Sequence, residues 1–422
     1  MRDRLACVIL AAGEGQRMYS GRAKVLHAVA GKPMLHYPVA AAESLGAEKI
    51  VVVTGAGRGE VEQVFSNRAV FVVQPRRLGT GDALLRCKRT LAGFHGSLIV
   101  LCGDAPLVRA GTLGALVARH RRNGASVTLL SAEVPDPSGY GRILRTPDGA
   151  FRAIREDKDC RPGEKQISEI NAGAYVLAWP DVEPLLKGLK RDNRQGERYL
   201  TDVAARARAL GLVVQVEKCQ DAAEAEGINT RVELERANRL MNQRILEAYA
   251  KRGVTVLDRA STFIEDGVGI GKDTVIYPFT YIEKNVRIGK RCKIGPFAKI
   301  RSGSVIADEA VIGSFVELAR SRVGRKTFIK HLAYVGDAVI GDRVNVGAGT
   351  VTANFDGRKK GVTQIGDGAF IGSNSVLVAP VRVGRRAKTG AGAVVLRGQH
   401  VADGSVVVGV PARPVARKKR KK

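Results

Sequence analysis

The chain is poor in the features that would mark a metal-ribbon, secreted or membrane protein. Its six cysteines, Cys7, Cys87, Cys102, Cys160, Cys219 and Cys292, are scattered through 422 residues with no CxxC or CxxxH spacing. Neither a zinc site nor a disulfide framework is expected, and a reducing cytoplasm fits. Aromatic residues make up only 5% while apolar residues reach 45%, so the cores have to be aliphatic. No apolar run is long enough to cross a bilayer. Met1-Arg-Asp-Arg-Leu5 leads straight into a strand-like run, so no secretory leader is expected. Acidic residues are outnumbered 41 to 69, a net charge of +28. That excess favours acidic ligands in general and does not single out a nucleic acid. The basic end, 416–422, reads as a solvated tail, with RNA or an anionic surface as the weaker alternative.

What the chain does have is a period. Ile264, Ile270, Ile276, Ile282, Ile288, Ile294, Ile300, Ile306, Ile312 and Leu318 fall six residues apart. The phase slips by one to Val323, Ile329 and Val335, slips again to Ile340 and Val346, and returns at Ile365, Ile371, Leu377 and Val383. Glycine often follows the aliphatic, as at Gly271, Gly289, Gly324 and Gly341. A period of six fits neither a helix nor a two-faced strand. It predicts a hexapeptide β-solenoid over 251–415, with short parallel strands stacked coil on coil.

Residues 1–228 alternate strand-like and helix-like segments. Leu5–Leu10, Ile50–Thr54, Val70–Val73, Leu98–Leu101 and Val127–Leu130 read as strands, and Met34–Leu45 and Gly81–Leu91 as helices. This is the α/β pattern of a mostly parallel sheet, whose ligands sit beyond the carboxyl ends of its strands. Val232–Lys251 reads as a helix within a linker, 229–250, with Leu234, Leu240, Ile245 and Leu246 as apolar points. The first strand opens into Leu10-Ala-Ala-Gly-Glu-Gly-Gln-Arg-Met18, followed by Lys24. A glycine-rich turn lets backbone N–H groups approach phosphate, and Arg17 and Lys24 add positive charge there. The dinucleotide fingerprint is not completed, since Met18 holds the third glycine's place. Taken singly, Asp104 is better read as a strand-end turn former and Asn229 as a helix cap.

The string from Leu10 to Lys24 resembles the sugar-nucleotide pyrophosphorylases. Gln74 with Leu78-Gly-Thr-Gly81, Gly103-Asp-Ala-Pro106, Ser138-Gly-Tyr-Gly-Arg142, Glu156, Asn171-Ala-Gly173, Gly196-Glu-Arg-Tyr-Leu-Thr-Asp202 and Glu226-Gly-Ile-Asn229 follow in order. Together they resemble the bacterial bifunctional N-acetylglucosamine-1-phosphate uridyltransferase and glucosamine-1-phosphate acetyltransferase family. The resemblance implies a Rossmann-like nucleotidyltransferase domain and a left-handed parallel β-helix that assembles as a homotrimer. It implies a catalytic role for Arg17 and Lys24. Leu10, Ala11, Ala12, Gly13, Lys24, Gln74, Gly79, Thr80, Asp104, Gly141, Glu156, Asn171 and Asn229 would bind nucleotide and sugar. Asp104 and Asn229 would hold Mg²⁺, with UTP and acetyl-CoA as co-substrates. Such phosphoryl transfer needs positioning and charge neutralisation more than covalent help. Gln16, Ala23, Cys102 and Ala172 depart from the family's usual threonine, proline, tyrosine and threonine.

The hexads break once, where Asn354-Phe-Asp-Gly-Arg-Lys-Lys360 leaves the coil as a basic loop, a candidate binding element. Before it stands His331, suited to general-base work and on its own equally a surface histidine. The resemblance makes His331 the base that accepts the amine proton. It places Arg301, Tyr334, Asn345, Ala348, Asn354, Phe355, Lys360, Ser373 and Ala391 around the amino sugar and acetyl-CoA, in a site built between subunits. Three departures fall here: Ala319 for a lysine, Phe355 for a tyrosine, and Gly409 for an arginine near the CoA phosphates. Losing one phosphate contact weakens binding by about 1.5–3 kcal/mol. The expected function is therefore acetyl transfer to glucosamine 1-phosphate, then uridylyl transfer from UTP. The alternative is a monofunctional uridyltransferase whose solenoid only trimerises it. A scaffold that acts through its basic surface requires both sites to be coincidence.

Overall fold

A computed structural model describes residues 4–55 and 58–415, and the basic tail lies outside them. The chain divides into two compact units, the first ending at Asn238 and the second starting at Arg239. Among the described residues no helix is long and apolar enough to cross a membrane.

The first unit is built on one mixed sheet. Its strands are β1 (Leu5–Ala11), β2 (Lys49–Thr54), β3 (Val70–Val73), β4 (Ser97–Cys102), β5 (Val127–Glu133), β6 (Arg142–Arg145), β7 (Phe151–Arg155), β8 (Glu169–Ala178) and β9 (Val214–Lys218). The main order is β9-β5-β8-β4-β1-β2-β3, with the β6–β7 hairpin joined to β8. β1 lies parallel to β2 and β4, whereas β8 runs antiparallel to β4 and β5. Successive residues of β1 face opposite ways. Cys7 and Ile9 enter one core with Val39 of α1 (His36–Ser44) and Leu116 of α4 (Ala110–Arg122). Ala6 and Val8 enter the other with Leu84 of α3 (Thr80–Arg86) and Leu186 of α5 (Trp179–Lys187). Burial on both faces explains why β1 is a continuous apolar run. The helix expected over Gly81–Leu91 stops at Arg86, and the residues beyond it are turns that still bury Leu91.

Helix α7 runs Arg231–Ala250, one residue earlier at each end than expected. In the second unit it does more than link. Leu246 and Tyr249 join the aliphatic core, and Asn242 donates to Thr262 O at 2.8 Å while accepting from Ile264 N at 3.0 Å. The open edge of the first coil is thereby satisfied rather than left to pair with another chain.

The solenoid follows the hexads. Ile276 stacks on Ile294, Ile282 on Ile300 and Ile288 on Ile306, all parallel. The phase slips preserve this stacking. Ile306 still pairs Val323, and Val323 pairs Ile340, because each shortened coil loses one corner residue. Every hexad aliphatic from Ile264 to Val383 is buried except Ile270, which is half-buried. A Cβ on Gly271 would come within 2.7 Å of the Gly289 backbone, so the glycine after the aliphatic is a condition of close coil packing. One column of corners carries Phe279, Phe297, Phe315 and Leu332, all at positive φ and all exposed. The three rings stack 4.9 and 5.0 Å apart.

Candidate functional site

In the first unit the carboxyl ends of β1 and β4 meet. Gly103 N donates to Leu10 O at 2.9 Å, which sets Asp104 beside the glycine-rich turn Ala11–Gly15. Gly15 has φ +65, and a Cβ there would lie 2.6 Å from the Lys24 Cβ. Only glycine lets the turn close over that lysine. The buried Lys24 ammonium donates to Asp104 Oδ2, and to Asn229 Oδ1 at 3.0 Å. Asn229 is held in turn by its N–H donating to Glu233 at 2.5 Å. Asp104 and Asn229 therefore aim their oxygens at one cation-sized point, which a lysine occupies here. No group of three or more His, Cys, Asp or Glu suited to a metal occurs among the described residues. Arg17 stands exposed on the short helical turn Gln16–Met18.

Beside this cluster lies an open cleft of about 670 Å³, lined by Ala12, Glu14, Gly55, Gln74, Arg76 and Arg77. Gln74 Nε2 donates to Gly79 O and to Asp82 Oδ2, both at 3.0 Å. Thr80 Oγ1 accepts from Leu200 N at 3.0 Å, and Gly81 N donates to Arg198 O at 2.8 Å. The 78–81 segment is thus locked against 198–200. On a neighbouring wall Gly141 O accepts from Asn171 N at 2.8 Å, and a Cβ on Gly141 would meet the Glu156 carboxylate at 3.5 Å. Thr201 donates to Glu156 Oε1 at 2.9 Å, and Asn171 donates to the Tyr175 hydroxyl at 2.6 Å. Burial pushes the Glu156 carboxyl up from its ordinary value, opposed by the Thr201 hydroxyl. Gly141, Glu156 and Asn171 are thus brought together. Asp82, Arg198, Thr201 and Tyr175 complete these walls, and sequence reasoning missed them as site residues. Of these, Arg198 and Thr201 lie within the Gly196–Asp202 stretch picked out in the sequence, whereas Asp82 falls just past Leu78–Gly81 and Tyr175 just past Asn171–Gly173.

The second unit presents two neighbouring faces. On one, Ser314 pairs His331 across coils. Ala348 O accepts from Asn374 N and Ser373 O from Gly392 N, both at 2.7 Å. His331, Ala348, Ser373 and Ala391 so occupy equivalent places in successive coils, two residues beyond Ile329, Val346, Ile371 and Thr389. Asn345 pairs Phe370, three residues before that column. His331 is exposed, and the chain turns at Leu332 (φ 46) onto the next face. There Arg301 Nη1 donates to Glu317 Oε1 at 3.2 Å, and Glu317 pairs Tyr334. A Cβ on Gly336 would strike the Tyr334 hydroxyl at 2.6 Å and Asn354 Nδ2 at 2.8 Å, so these two side chains close over the glycine.

Asn354, buried, donates to Asp337 Oδ2, and Arg320 grips the same carboxylate through Nε at 2.6 Å and Nη2 at 2.8 Å. The Arg320 guanidinium is the main cause that holds the Asp337 carboxyl below its ordinary value. Ala319 is fully covered yet lies outside the aliphatic core, whereas Arg320 reaches the edge that carries Tyr334 and Asn354. The basic loop is a tight hairpin. Gly361 N donates to Asn354 O at 2.7 Å, Phe355 bridges Lys360, and Asp356 accepts from Arg358 N and Lys359 N at 2.9 and 2.7 Å. Those backbone donors and Arg397 pull the Asp356 carboxyl down to about 2. Gly409, in place of arginine, sits at φ +87. Asp337 was given no role beforehand, and Arg320 was weighed only as the neighbour that could stand in for the lysine missing at Ala319, because the corner that aligns the two is a property of the coil.

Residues 7–220 match the MobA-like NTP transferase domain family, and 285–320 and 363–397 match the bacterial transferase hexapeptide repeat. The repeat region is a left-handed parallel β-helix. The chain is 45% identical over 410 residues to the Bifunctional protein GlmU of Pelotomaculum thermopropionicum, covering 89% of this chain and 90% of that protein. It is 43% identical to that of Syntrophotalea carbinolica, covering 94% and 92%. It is 40% identical to that of Shouchella clausii, covering 92% and 93%. With two transferase units joined in the same order over almost the whole of these relatives, the chain belongs to the GlmU family of bifunctional proteins.

Proposed function

We infer that this chain is a bifunctional transferase of UDP-N-acetylglucosamine synthesis. The second unit moves an acetyl group from acetyl-CoA to glucosamine 1-phosphate. The first then joins N-acetylglucosamine 1-phosphate to UTP and releases pyrophosphate. The observation that carries this reading is that each unit holds its own closed polar cluster, Lys24–Asp104–Asn229 in one and Arg320–Asp337–Asn354 in the other.

For uridylyl transfer, Gln74 and the Gly79–Gly81 segment face the base. Glu156 and Asn171 hold the sugar. The Ala11–Gly15 turn, Arg17 and Lys24 receive the phosphates. The sugar phosphate oxygen attacks the α-phosphorus in line, and charge stabilisation lowers the barrier. Asp104 and Asn229 would hold Mg²⁺. The fit rests on their two oxygens converging on one ammonium and on the small donor set this ion prefers. When bound, the ion neutralises phosphate charge. Lys24 would then be free to turn its ammonium to the phosphates.

For acetyl transfer, His331 takes the proton of the sugar amine as it attacks the thioester carbonyl. Asn354, held by Asp337, orients that amine. Arg301, Tyr334 and Lys360 hold the sugar phosphate, and Arg320 supplies the cation that Ala319 lacks. Asn345 and the column of Ala348, Ser373 and Ala391 carry the CoA, and Phe355 flanks them. We propose a homotrimer, supported by the exposed apolar ladder of Phe279, Phe297, Phe315 and Leu332; an exposed stripe of this kind marks an interaction surface. A cytoplasmic setting is supported by six free cysteines. A solenoid that only trimerises the enzyme is not favoured, since Arg320, Asp337 and Asn354 form one connected polar edge.

The test is two assays on the purified chain. CoA release from acetyl-CoA is measured with glucosamine 1-phosphate in the absence of UTP, and pyrophosphate release with UTP and N-acetylglucosamine 1-phosphate. Both are expected. Pyrophosphate without CoA release reduces the second unit to a platform.

A further inference from the structure

Gln74 is 5% exposed and Asp82 is 3% exposed, and the two meet at the wall of the nucleotide cleft. A glutamine amide has two N–H donors and one acceptor oxygen. Both donors of Gln74 are spent, on Gly79 O and on Asp82 Oδ2. Neither partner has a hydrogen to give back. Gly79 offers a backbone carbonyl. Asp82 is a carboxylate gripped by Arg86 at 3.0 Å and Arg198 at 3.3 Å. Turning the amide over would set its oxygen against two acceptors and leave its N–H groups facing the cleft. The network therefore dictates that the oxygen of Gln74 is the atom offered to a ligand.

That choice has a chemical consequence. Uracil carries a hydrogen on N3, whereas cytosine carries a lone pair there. An amide oxygen attracts the first and repels the second. We propose that Asp82 is the positioning residue that fixes the Gln74 amide and thereby excludes cytidine nucleotides from the uridylyl-transfer site. Asp82 touches no substrate itself and acts through Gln74. The proposal rests on Gln74 facing the base, as argued above.

The test is Asp82→Asn in the full chain, with pyrophosphate release measured for UTP and CTP. Arg198 donates to Oδ1 of Asp82, whereas Arg86 and Gln74 both donate to Oδ2, so the single oxygen of the new asparagine serves one side only; with that oxygen on Arg198, its NH₂ takes the place of Oδ2 beside Gln74 and allows that amide to reverse. The ratio of kcat/KM for CTP over UTP is expected to rise about tenfold or more. The change should lie in nucleotide KM, with the KM for N-acetylglucosamine 1-phosphate unmoved. Asp82→Glu, which keeps a carboxylate, should restore the wild-type ratio. A ratio does not depend on how much of the protein is folded, and acetyl transfer by the second unit reports that the chain is intact. If Asp82→Asn lowers use of both nucleotides equally, Asp82 is merely structural and the proposal falls. Gln74→Ala separates the two readings. If it leaves the KM for UTP unchanged, the base is not read at Gln74, and the assignment of the cleft fails along with the proposal.

Discussion

Lys24 and Asn229 stand 205 positions apart in the chain, and the lysine ammonium donates a 3.0 Å hydrogen bond to the asparagine oxygen. Since Asp104 accepts from the same ammonium, the lysine competes with any cation drawn to those two oxygens. Lys24→Met should therefore bind Mn²⁺ at least as tightly as the parent chain, read by water-proton relaxation, while losing pyrophosphate release. Asp104→Ala should lose both. Weaker Mn²⁺ binding in Lys24→Met would show that the oxygens are not a metal site.

Chelation should separate the two units. With a chelator present, pyrophosphate release should stop while CoA release continues, because the second unit's cluster is built of Arg320, Asp337 and Asn354. His331→Ala should do the opposite, abolishing CoA release and sparing pyrophosphate release. Either change stopping both activities in an intact protein would refute two independent sites.

Glu156 makes a prediction in pH. Burial raises its folded pKa above the ordinary glutamate value. The folded chain therefore holds this proton more tightly than the unfolded chain does, and stability falls as pH rises between those two values. Above that window the buried charge costs its full amount. Glu156→Gln should accordingly raise the melting temperature near neutral pH, with no gain at about pH 4, while pyrophosphate release drops. A melting temperature lowered equally at both pH values would show that Glu156 stabilises the wall instead.

Much of this architecture was legible because it is periodic. The hexad aliphatics appear in sequence, and from Ile264 to Val383 the structure buries all of them but the half-buried Ile270. The phase slips at Val323 and Ile340 were visible, but their meaning was not. Only the coil register shows that a shortened corner keeps Ile306 over Val323. Motif residues such as Lys24, Asp104 and Asn229 could be picked out by their order along the chain. The contacts between motifs could not, since Thr201 reaches Glu156 and Asp82 reaches Gln74 through tertiary contact alone. The extent of α3 was overestimated because Leu84 and Leu91 are both buried, the first on a helix and the second on the turns that follow it.

Arg320 decides whether the loss of the family's lysine at Ala319 has been offset. Its guanidinium forks onto Asp337 at 2.6 and 2.8 Å, on the edge that carries Asn354. A planar fork so placed still presents outward N–H groups to a phosphate. Arg320→Ala removes a charged hydrogen bond worth about 1.5–3 kcal/mol, so the KM for glucosamine 1-phosphate should rise at least about tenfold. Arg320→Lys should recover only part of this, because an ammonium cannot hold Asp337 and a phosphate in the same geometry. The KM for acetyl-CoA serves as the control, because the Ala348–Ser373 column lies on the other face. If Arg320→Ala raises both constants alike, the residue supports the coil corner and the missing lysine has no substitute. If it raises only the sugar phosphate constant, the cation has moved one residue along the chain and the acetyltransferase site is intact.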